Sequence, residues 1–407
     1  MNCGLLGRTL SHSYSPQIHA MLGDYPYSLF EKEPDDLADF LRSSDWDGIN
    51  VTVPYKKDVI SYLDELSPIA QKLGAVNTIV RRNGRLIGHN TDYFGFLTMV
   101  KASGLNIAEK KALVLGSGGA SNTAAAVLEE LGAEVIVISR SGMNNYKNIH
   151  IHQDATLLVN TTPVGMYPHT GISPVNLDTL PNLEGVLDVI YNPARTKLLL
   201  DAEKRGLVTM NGLLMLVAQA KESAEWFTGN PLSDDLIPKI HCTLQRQMEN
   251  IILVGMPGCG KSTVGRLLAE KLGKEFVDAD IITSEMAGMP IPEIFAKFGE
   301  DPFRDHETEA LKQLGMQSGK VIATGGGCVT KNRNYPLLHQ NGTIFWIHRD
   351  LDALPTDGRP LSQGTPIEEM YRNRKPLYEA FADYEINNNG DLKDTVQSIT
   401  AIWEENI

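Results

Sequence analysis

The most informative chemical motif in this sequence is a glycine-rich loop that ends in lysine and serine. Residues 255–262 read Gly-Met-Pro-Gly-Cys-Gly-Lys-Ser and match the pattern G-x-x-x-x-G-K-S at every fixed position. An apolar run precedes the loop and an amphipathic stretch follows it, which predicts a strand, a turn and a helix. In such a loop the backbone amides surround phosphate groups, Lys261 neutralises their charge, and the Ser262 hydroxyl coordinates Mg²⁺. The motif predicts an ATP-type site, whose further members are Gly258, Gly260 and Thr263.

Carboxylates follow the next predicted strand of the same region. Asp278 and Asp280 come directly after Glu275-Phe-Val277, so one carboxylate could support Mg²⁺ and the other could accept the proton of an attacking hydroxyl. Further on, Arg304 and Glu307 are placed at helical spacing. The strand-like run 321–324 ends in the three glycines 325–327, where a substrate ring could approach the backbone. These residues predict a kinase with a small acceptor.

A second glycine turn lies earlier in the chain. Gly116-Ser-Gly118-Gly119-Ala120 follows the apolar run 111–115, but the sixth position of the G-x-G-x-x-G pattern is Ser121. The turn predicts a dinucleotide at a helix N-terminus, and a plain strand-to-helix turn is the alternative. The next strand, 134–138, leads to Arg140, which suits the 2′-phosphate of NADP. A solvated surface arginine is the alternative there.

Polar residues in short N-terminal motifs could hold and protonate a substrate. Alone, each would fit a turn or a helix cap; together they supply hydroxyls, an amide, a lysine and a carboxylate ahead of the dinucleotide turn. They are Ser13, Ser15, Thr52, Lys56, Asn77 and Asp92. This is the set needed to bind a polyhydroxylated acid and to move a proton.

Over residues 1 to about 240 the sequence resembles the shikimate dehydrogenase family. The motifs that carry the resemblance are Ser13-x-Ser15-Pro16, Asn50-Val-Thr52-Val-Pro54-x-Lys56, Asn77-Thr78, Asn90-Thr91-Asp92, Gly116-x-Gly118-Gly119-Ala120, Asn160-Thr-Thr-Pro-x-Gly165-Met166 and Gly212-Leu-Leu-Met215-Leu-Val-Ala-Gln219. The resemblance implies that Ser13 and Ser15 bind the substrate carboxylate. Ring hydroxyls would be bound by Thr52, Asn77, Asp92 and Gln219, with Tyr191 on the substrate side.

The same resemblance implies a Lys56–Asp92 dyad that relays the proton while NADPH supplies the hydride. A purely structural ion pair is the alternative. The NADP(H) site would comprise Gly116, Gly118, Gly119, Ala120, Arg140 and Gly212. Between Arg140 and Asn160 the chain is short for this family, which predicts a lost or reduced helix and a more open adenine side.

Residues 250–407 resemble the shikimate kinase family. The resemblance implies that Asp280 binds the acceptor hydroxyl and acts as base, and that Ser262 and Asp278 hold Mg²⁺. Arg304 and Arg374 would bind the substrate carboxylate, a task suited to bidentate guanidinium groups. Gly326 and Gly327 would contact the ring, and Arg359 would cover ATP from a lid. The stretch 349–359 is compressed relative to the family, so a kinase half without turnover is the alternative.

We predict an α/β protein with a Rossmann-type domain and a P-loop α/β/α domain. The predicted divisions are a substrate-binding domain at 1–100 with a return helix at about 213–235, an NADP-binding domain at 101–212, a linker at 236–249 and a kinase domain at 250–407. With 407 residues, 42% hydrophobic composition and a net charge of −13, nucleic-acid binding is not expected. Four dispersed cysteines and the lack of a signal-like or membrane-spanning run predict a cytoplasmic protein, monomeric or homodimeric.

The predicted function is a bifunctional enzyme that reduces 3-dehydroshikimate with NADPH and then phosphorylates shikimate with ATP and Mg²⁺. One alternative is a quinate- or NAD-preferring dehydrogenase. Another is a nucleotide sensor that binds without turnover, although Lys56, Asp92, Lys261 and Asp280 are all present.

Overall fold

The computed structural model describes residues 1–10, 13–43, 45–354 and 366–405. The chain divides into two compact units. The first comprises Met1–Val164, Ile172–Tyr191 and Leu198–Cys242, and the second comprises Gly165–Gly171, Asn192–Lys197 and the chain from Thr243 onward. Three sheets with flanking helices confirm the predicted α/β class. Among the described residues, no helix combines the length and the apolar character needed to cross a membrane.

The first sheet of the first unit is mixed. Its strands are β1 (Cys3–Gly7), β2 (Tyr27–Glu31), β3 (Gly48–Val51), β4 (Glu65–Leu66), β5 (Thr78–Arg82) and β6 (Arg85–His89), in the order β2-β1-β3-β5-β6-β4. Helices α1 (Ser15–Leu22), α2 (Leu37–Arg42) and α3 (Pro68–Leu73) and the 3-10 helices Pro34–Asp36 and Asp58–Tyr62 connect them. β5 runs antiparallel to both β3 and β6, with Thr78 opposite Asn50 and His89. The polar segments after β3, before β5 and after β6 therefore meet at one edge of the sheet.

The second sheet of this unit is parallel throughout. Its strands are β7 (Lys111–Leu115), β8 (Glu134–Ile138), β9 (Leu157–Asn160), β10 (Gly185–Asp188) and β11 (Val208–Met210), in the order β11-β10-β9-β7-β8. The helices are α4 (Asp92–Ala102), α5 (Gly119–Glu130), α6 (Lys197–Glu203) and α7 (Leu213–Thr228), with 3-10 helices at Ile149–His152 and Leu177–Thr179. The strand order reverses between β7 and β9, and ligands of such sheets bind at that crevice.

Between Arg140 and Asn160, a range that the structure describes in full, the chain forms no α-helix, and the 3-10 turn Ile149–His152 is its helical segment. In parallel α/β folds, consecutive strands are usually joined by a full helix. Here the connection from β8 to β9 is made largely by turns, as the short spacing in the sequence indicates.

The second unit is built on a third parallel sheet. Its strands are β12 (Asn250–Val254), β13 (Glu275–Asp278), β14 (Lys320–Ala323), β15 (Gly342–His348) and β16 (Tyr384–Asn387), in the order β13-β14-β12-β15-β16. The helices are α9 (Lys261–Leu272), α10 (Ala279–Ala287), α11 (Ile291–Phe298), α12 (Glu300–Gly315), α13 (Asn334–His339), α14 (Ile367–Phe381) and α15 (Leu392–Glu405), with 3-10 helices at Cys328–Thr330 and Leu351–Ala353. The stretch assigned to a linker by sequence is mostly helical, as α8 (Leu236–Met248).

The central strand β12 lies in the buried core of this unit. Ile251, Ile252, Leu253 and Val254 are fully buried, which matches an apolar run in the middle of a parallel sheet. β14 pairs with β12 with Leu253 opposite Ala323. The loops that follow these two strands, at 255–260 and 324–327, are therefore neighbours at the carboxyl edge of the sheet.

Candidate active sites

Lys56 and Asp92 meet at the edge of the first sheet. Lys56 Nζ lies 2.6 Å from Asp92 Oδ2, and the two side chains are 26% and 13% exposed. Asp92 is the first residue of α4, where the free backbone amides and the helix dipole stabilise a carboxylate. The pair is thus half-shielded yet open to a ligand, as proton transfer to a substrate requires.

Asn77 completes this cluster from the neighbouring strand. Its Nδ2 donates to Asp92 Oδ1 at 2.9 Å and to Thr91 Oγ1 at 3.0 Å. Its Oδ1 accepts from the Thr91 amide at 2.7 Å, which fixes the orientation of the side-chain amide. Thr91 Oγ1 also lies 3.4 Å from Gln219 Oε1 on α7. Four predicted residues, Lys56, Asn77, Asp92 and Gln219, are therefore brought together.

The helix that carries Gln219 approaches closely because α4 has a glycine at the crossing. A Cβ on Gly95 would lie 2.6 Å from the Met215 carbonyl oxygen and 3.0 Å from Gln219 Cβ. A larger residue would therefore push α7 away from Thr91. Sequence reasoning did not single out Gly95, and only the packing of the two helices shows why it is needed.

The predicted carboxylate-binding segment lies at the start of α1. Ser15 begins this helix, and its amide donates to Ser13 Oγ at 3.2 Å. The Tyr14 ring packs edge-on against Tyr191, with the ring centroids 6.1 Å apart. Burial raises the pKa of Tyr191, and the neighbouring Tyr14 adds a smaller increase. The Tyr191 hydroxyl therefore stays protonated and can donate a hydrogen bond.

Thr52 is the first residue after β3. Its amide donates to the Leu6 carbonyl at 2.9 Å, and its carbonyl accepts from the Tyr55 amide at 3.0 Å. These bonds hold the turn that leads to Lys56. The turn belongs to the same sheet edge as Asn77, since the Val51 amide donates to the Asn77 carbonyl at 2.8 Å.

A buried set of polar side chains beneath this cluster was missed by the sequence reasoning. It consists of Asn50, Thr78, Thr91 and Ser223, all at most 5% exposed. Asn50, Thr78 and Thr91 stand within the quoted motifs, but the positions of their side chains follow from strand register. Ser223 had no signal other than its place one helical turn after Gln219.

The dinucleotide turn has the geometry of a phosphate-binding site. Gly116 adopts a positive φ of +116°, which favours glycine, and a Cβ there would lie 2.7 Å from Thr161 Oγ1. Ser121, at the position where the motif expects glycine, donates its hydroxyl to the Gly116 carbonyl at 2.9 Å and so closes the turn. A Cβ at Gly118 or Gly119 would meet nothing within 4 Å, so the N-terminus of α5 faces open space.

The other two predicted cofactor positions flank this turn. Arg140 is exposed two residues after the end of β8, the neighbour of β7. Gly212 precedes α7, and its amide donates to the Ile190 carbonyl at 3.0 Å. A Cβ on Gly212 would lie only 2.0 Å from the Val189 carbonyl oxygen, so the residue is required by the backbone packing around it.

In the second unit, the lysine-containing loop forms the turn expected from its sequence. Gly255, Gly258 and Gly260 all have positive φ, and α9 begins at Lys261. Lys261 Nζ donates to the carbonyls of Gly255 and Met256 at 2.9 and 3.0 Å. The ammonium therefore lies within the loop that would surround the phosphates.

The loop is also anchored by a residue that was not predicted. Asn388, directly after β16, donates from Nδ2 to the Cys259 carbonyl at 2.7 Å and is 2% exposed. A Cβ on Gly260 would lie 2.6 Å from the same nitrogen. Asn388 thus fixes the loop from a strand far away in sequence.

The predicted metal ligands are in contact with one another. Ser262 Oγ donates to Asp278 Oδ2 at 2.8 Å, and Asp278 Oδ1 accepts from the Asp280 amide at 3.1 Å. Hydroxyl and carboxylate oxygens suit Mg²⁺, which takes its remaining ligands from water and phosphate. No group of three or more His, Cys, Asp or Glu side chains able to hold a metal occurs among the described residues. The two-ligand arrangement fits Mg²⁺ bound together with a nucleotide.

A cavity of about 570 Å³ joins the phosphate loop to the predicted acceptor residues. Its lining includes Lys261, Ser262, Thr263, Asp278, Asp280, Arg304, Gly326, Gly327 and Arg374. Arg374 Nη1 donates to the Gly326 carbonyl at 3.2 Å, and Tyr378 donates its hydroxyl to the same oxygen. Arg359, the predicted lid residue, lies outside the described residues.

Arg304 is held in the wall of this cavity by two carboxylates. Its guanidinium donates to Glu307 Oε2 at 2.8 Å and to Glu300 Oε1 at 3.0 Å, and the Arg304 side chain is 2% exposed. Burial, opposed by Arg304, raises the pKa of Glu307. A Cβ on Gly325 would lie 2.7 Å from Asp280 Oδ1 and 2.5 Å from Glu307 Oε1, so both carboxylates face the glycine segment.

Arg349 also lines the cavity and was not predicted as a site residue. It directly follows β15, and its Nε is buried without a hydrogen-bond partner in the described part of the chain. A guanidinium so placed adds positive charge to the cavity that contains the phosphate loop.

Comparison with known proteins matches both units to families. Residues 5–79 match the model of the shikimate dehydrogenase substrate binding domain, and residues 257–404 match that of shikimate kinase. The shikimate dehydrogenase (NADP(+)) of Clostridium beijerinckii is 36% identical over 268 residues, which cover 60% of this chain and 98% of that relative.

Solved structures give the same result for the first unit. Shikimate dehydrogenase 1 from Peptoclostridium difficile is 38% identical with a TM-score of 0.56, over 60% of this chain and 98% of that chain. A shikimate 5-dehydrogenase from Thermus thermophilus, in complex with NADP(H) and shikimate, is 32% identical with a TM-score of 0.55, over 59% and 98%. A chorismate mutase/shikimate 5-dehydrogenase fusion protein from Clostridium acetobutylicum is 33% identical with a TM-score of 0.55, over 60% and 96%. The chain therefore belongs to the shikimate dehydrogenase family and carries a shikimate kinase domain, which makes it a bifunctional enzyme of the shikimate pathway.

Proposed function

We propose that the first unit reduces 3-dehydroshikimate to shikimate with NADPH and that the second unit transfers the γ-phosphoryl group of ATP to the 3-hydroxyl of shikimate. The observation that carries the first step is the contact of Lys56, Asn77 and Asp92, in the same unit as an open dinucleotide turn. The second step is carried by the cavity that joins Lys261 to Asp280, Arg304 and Arg374.

In the proposed reduction, bound NADPH supplies the hydride. Lys56 and Asp92 orient the carbonyl that becomes the hydroxyl, and the pair delivers the proton to its oxygen. Asn77 holds Asp92 through the 2.9 Å hydrogen bond and shares the ring hydroxyls with Thr52 and Gln219. At the other end of the substrate, Ser13, Ser15 and Tyr191 bind the carboxylate side through their hydroxyl groups.

The proposed NADP site follows from the turn after β7. The open amides of Gly118, Gly119 and Ala120 at the start of α5 bind the pyrophosphate, and Gly116 and Gly212 allow the backbone to pack closely. Arg140, exposed at the end of the adjacent strand, pairs with the 2′-phosphate. Arg140 therefore supports NADP over NAD as the cofactor. The name of the relative from Clostridium beijerinckii also specifies NADP(+).

In the proposed phosphorylation, Asp280 accepts the proton of the attacking hydroxyl. Arg304 and Arg374 bind the shikimate carboxylate, and Gly326 and Gly327 allow the ring to approach the backbone. Gly258, Gly260, Lys261 and Thr263 bind the ATP phosphates, and Ser262 and Asp278 hold Mg²⁺, which neutralises charge on the phosphates. Arg359 would cover ATP from the lid.

We also propose the domain limits that the sequence predicts. They are a substrate-binding domain at 1–100 with its return helix at about 213–235, an NADP-binding domain at 101–212 and a kinase domain at 250–407.

A coupled assay tests both steps in one chain. Purified protein is given 3-dehydroshikimate, NADPH, ATP and Mg²⁺, and shikimate, shikimate 3-phosphate and ADP are quantified by mass spectrometry. We expect shikimate 3-phosphate and ADP in equal amounts, at the expense of NADPH.

Two variants each remove one step and serve as controls for each other. Lys56→Ala should stop NADPH oxidation yet still phosphorylate added shikimate. Lys261→Ala should oxidise NADPH and accumulate shikimate without ADP. ADP formed without shikimate 3-phosphate would mean that shikimate is not the acceptor. NADPH-dependent reduction of 3-dehydroshikimate with no phosphorylation of added shikimate would refute the kinase half of the proposal. A preference for quinate and NAD would refute the dehydrogenase half.

A further inference from the structure

One buried hydroxyl, that of Ser223, lies at the centre of the polar network beneath the dehydrogenase cluster. Ser223 is fully buried on α7. Its Oγ lies 2.7 Å from Asn50 Nδ2, 2.9 Å from Thr78 Oγ1, 3.0 Å from Thr91 Oγ1 and 2.9 Å from the Gln219 carbonyl oxygen. A serine hydroxyl has one proton and two lone pairs, so these four contacts use more than its full capacity.

The direction of these hydrogen bonds is set by the neighbouring groups. Tyr27 donates its hydroxyl to Asn50 Oδ1 at 2.8 Å, so Asn50 Nδ2 points towards Ser223 and donates to it. Ser223 in turn donates to the Gln219 carbonyl. Thr78 donates its hydroxyl to Asn77 Oδ1 at 3.2 Å, so the second lone pair of Ser223 can accept the Thr91 proton at 3.0 Å. This contact is shorter than those of Thr91 Oγ1 with Asn77 Oδ1 at 3.3 Å and Gln219 Oε1 at 3.4 Å. Thr91 Oγ1 can then accept from Asn77 Nδ2 at 3.0 Å.

This pattern links Ser223 to the reacting groups without direct contact. Asn77 Nδ2 carries two protons and donates one to Thr91 Oγ1 and the other to Asp92 Oδ1. A change in the orientation of the Thr91 hydroxyl therefore changes how Asn77 holds Asp92, the partner of Lys56. Ser223 also bonds to the backbone of Gln219, one turn earlier on the same helix.

We propose that Ser223 is a positioning residue for the dehydrogenase reaction, which fixes Asn77, Asp92 and Gln219 through the Thr91 hydroxyl and the α7 backbone. The proposal rests on the proposed function of the first unit. Its physical basis is that buried donors left without acceptors reorient, and a small displacement at a proton-transferring pair lowers the rate.

The test compares Ser223→Ala with Thr98→Val. Thr98 is a matched control because its hydroxyl donates to the Phe94 carbonyl four residues earlier, at 2.8 Å, as Ser223 does to Gln219, but Thr98 forms no bond to the network among the described residues. In Ser223→Ala we expect kcat for 3-dehydroshikimate reduction to fall about tenfold and KM for 3-dehydroshikimate to rise by a similar factor. KM for NADPH should stay within a factor of about two in both variants.

A loss of folded protein would look different. It would lower the rate in parallel with the number of NADPH-binding sites and leave both KM values unchanged, and that result would overturn the proposal. Equal behaviour of the two variants would also overturn it. Ser223→Cys keeps a similar side-chain volume and a weak donor and acceptor, so it should fold and show an intermediate KM for 3-dehydroshikimate.

Crystal structures of wild type and Ser223→Ala separate this proposal from the proposed function. If the wild type does not reduce 3-dehydroshikimate, the proposed function fails. The positioning role is then decided by whether the Asn77–Asp92 hydrogen bond of 2.9 Å is lost in the variant. An unchanged Asn77–Asp92 geometry would refute the role of Ser223.

Discussion

Replacement of Gly327 by alanine should impair the kinase reaction by displacing Arg304. The added Cβ would lie 2.0 Å from Arg304 Nη2 and 2.3 Å from its Cζ. The backbone of Gly327 has φ −106°, which any residue adopts, so the substitution adds no backbone strain. Arg304 is 2% exposed and bonded to both Glu307 and Glu300, so its guanidinium cannot move without breaking these bonds.

The size of the effect follows from what Arg304 would lose. A hydrogen bond to a charged group contributes about 1.5–3 kcal/mol, and the loss of one such bond to the shikimate carboxylate corresponds to roughly 10- to 140-fold in kcat/KM. Overpacking of a buried site costs a further ~1–3 kcal/mol of stability. We therefore expect KM for shikimate to rise by at least about tenfold, with little change in KM for ATP.

The assay is steady-state phosphorylation of shikimate, with ATP and shikimate varied separately. Gly390→Ala is the matched control, because a Cβ there meets nothing within 4 Å. NADPH-dependent reduction by the same chain shows that the sample remains folded in its first unit. A Gly327→Ala enzyme whose KM for shikimate equals that of Gly390→Ala would refute the role of Arg304 in binding the carboxylate.

Three further predictions concern other residues of the two units. Arg140→Ala should raise KM for NADPH about tenfold and leave KM for NADH unchanged, because only the 2′-phosphate differs; equal effects on both cofactors would contradict this assignment. Arg349→Ala should raise KM for ATP several-fold without changing KM for shikimate. The reason is that the side chain lines the cavity of the phosphate loop and its buried Nε has no partner among the described residues. A change in KM for shikimate alone would place Arg349 on the acceptor side. Burial lowers the pKa of His19 to about 3, so the unfolded chain binds a proton at this side chain more readily than the folded protein does. The contribution of His19 to the free energy of unfolding is therefore complete above the ordinary pKa of 6.5 and is lost as pH falls from 6.5 towards 3. Urea unfolding of the first unit, followed by loss of NADPH binding, should therefore show a pH slope that His19→Phe reduces by up to about 1.4 kcal/mol per pH unit; an unchanged slope would refute this.

The polar network around Ser223 adds a constraint that the family motifs do not state. Asn50, Thr78 and Thr91 belong to short motifs at strand ends, but they contact one another only because β3, β5 and β6 pair in antiparallel register. Ser223 reaches them from α7 because Gly95 allows this helix to approach α4. The dehydrogenase site is therefore supported by a layer of buried hydroxyl groups, and hydrogen-bonded layers of this kind hold catalytic groups in place.

Local sequence was sufficient for the parts of the protein that are set by neighbouring residues. The phosphate loop at 255–262, its strand and its helix could be predicted because glycines with positive φ and a following amphipathic run determine that geometry locally. The same holds for the turn at Gly116 and for the short connection after Arg140. Both families could be recognised because their motifs consist of such local segments in a fixed order.

Contacts between distant segments were decided by the tertiary structure. The Lys56–Asp92 distance of 2.6 Å, the support of the phosphate loop by Asn388 and the four partners of Ser223 depend on strand register and helix packing. Arg349 became a site residue only when the sheet placed its segment beside the cavity of the phosphate loop. Spacing along the chain determines the geometry of a turn, whereas the separation of remote side chains depends on how whole sheets and helices pack. For that reason the sequence alone determined the two chemistries, and the fold decided which buried residues hold them in place.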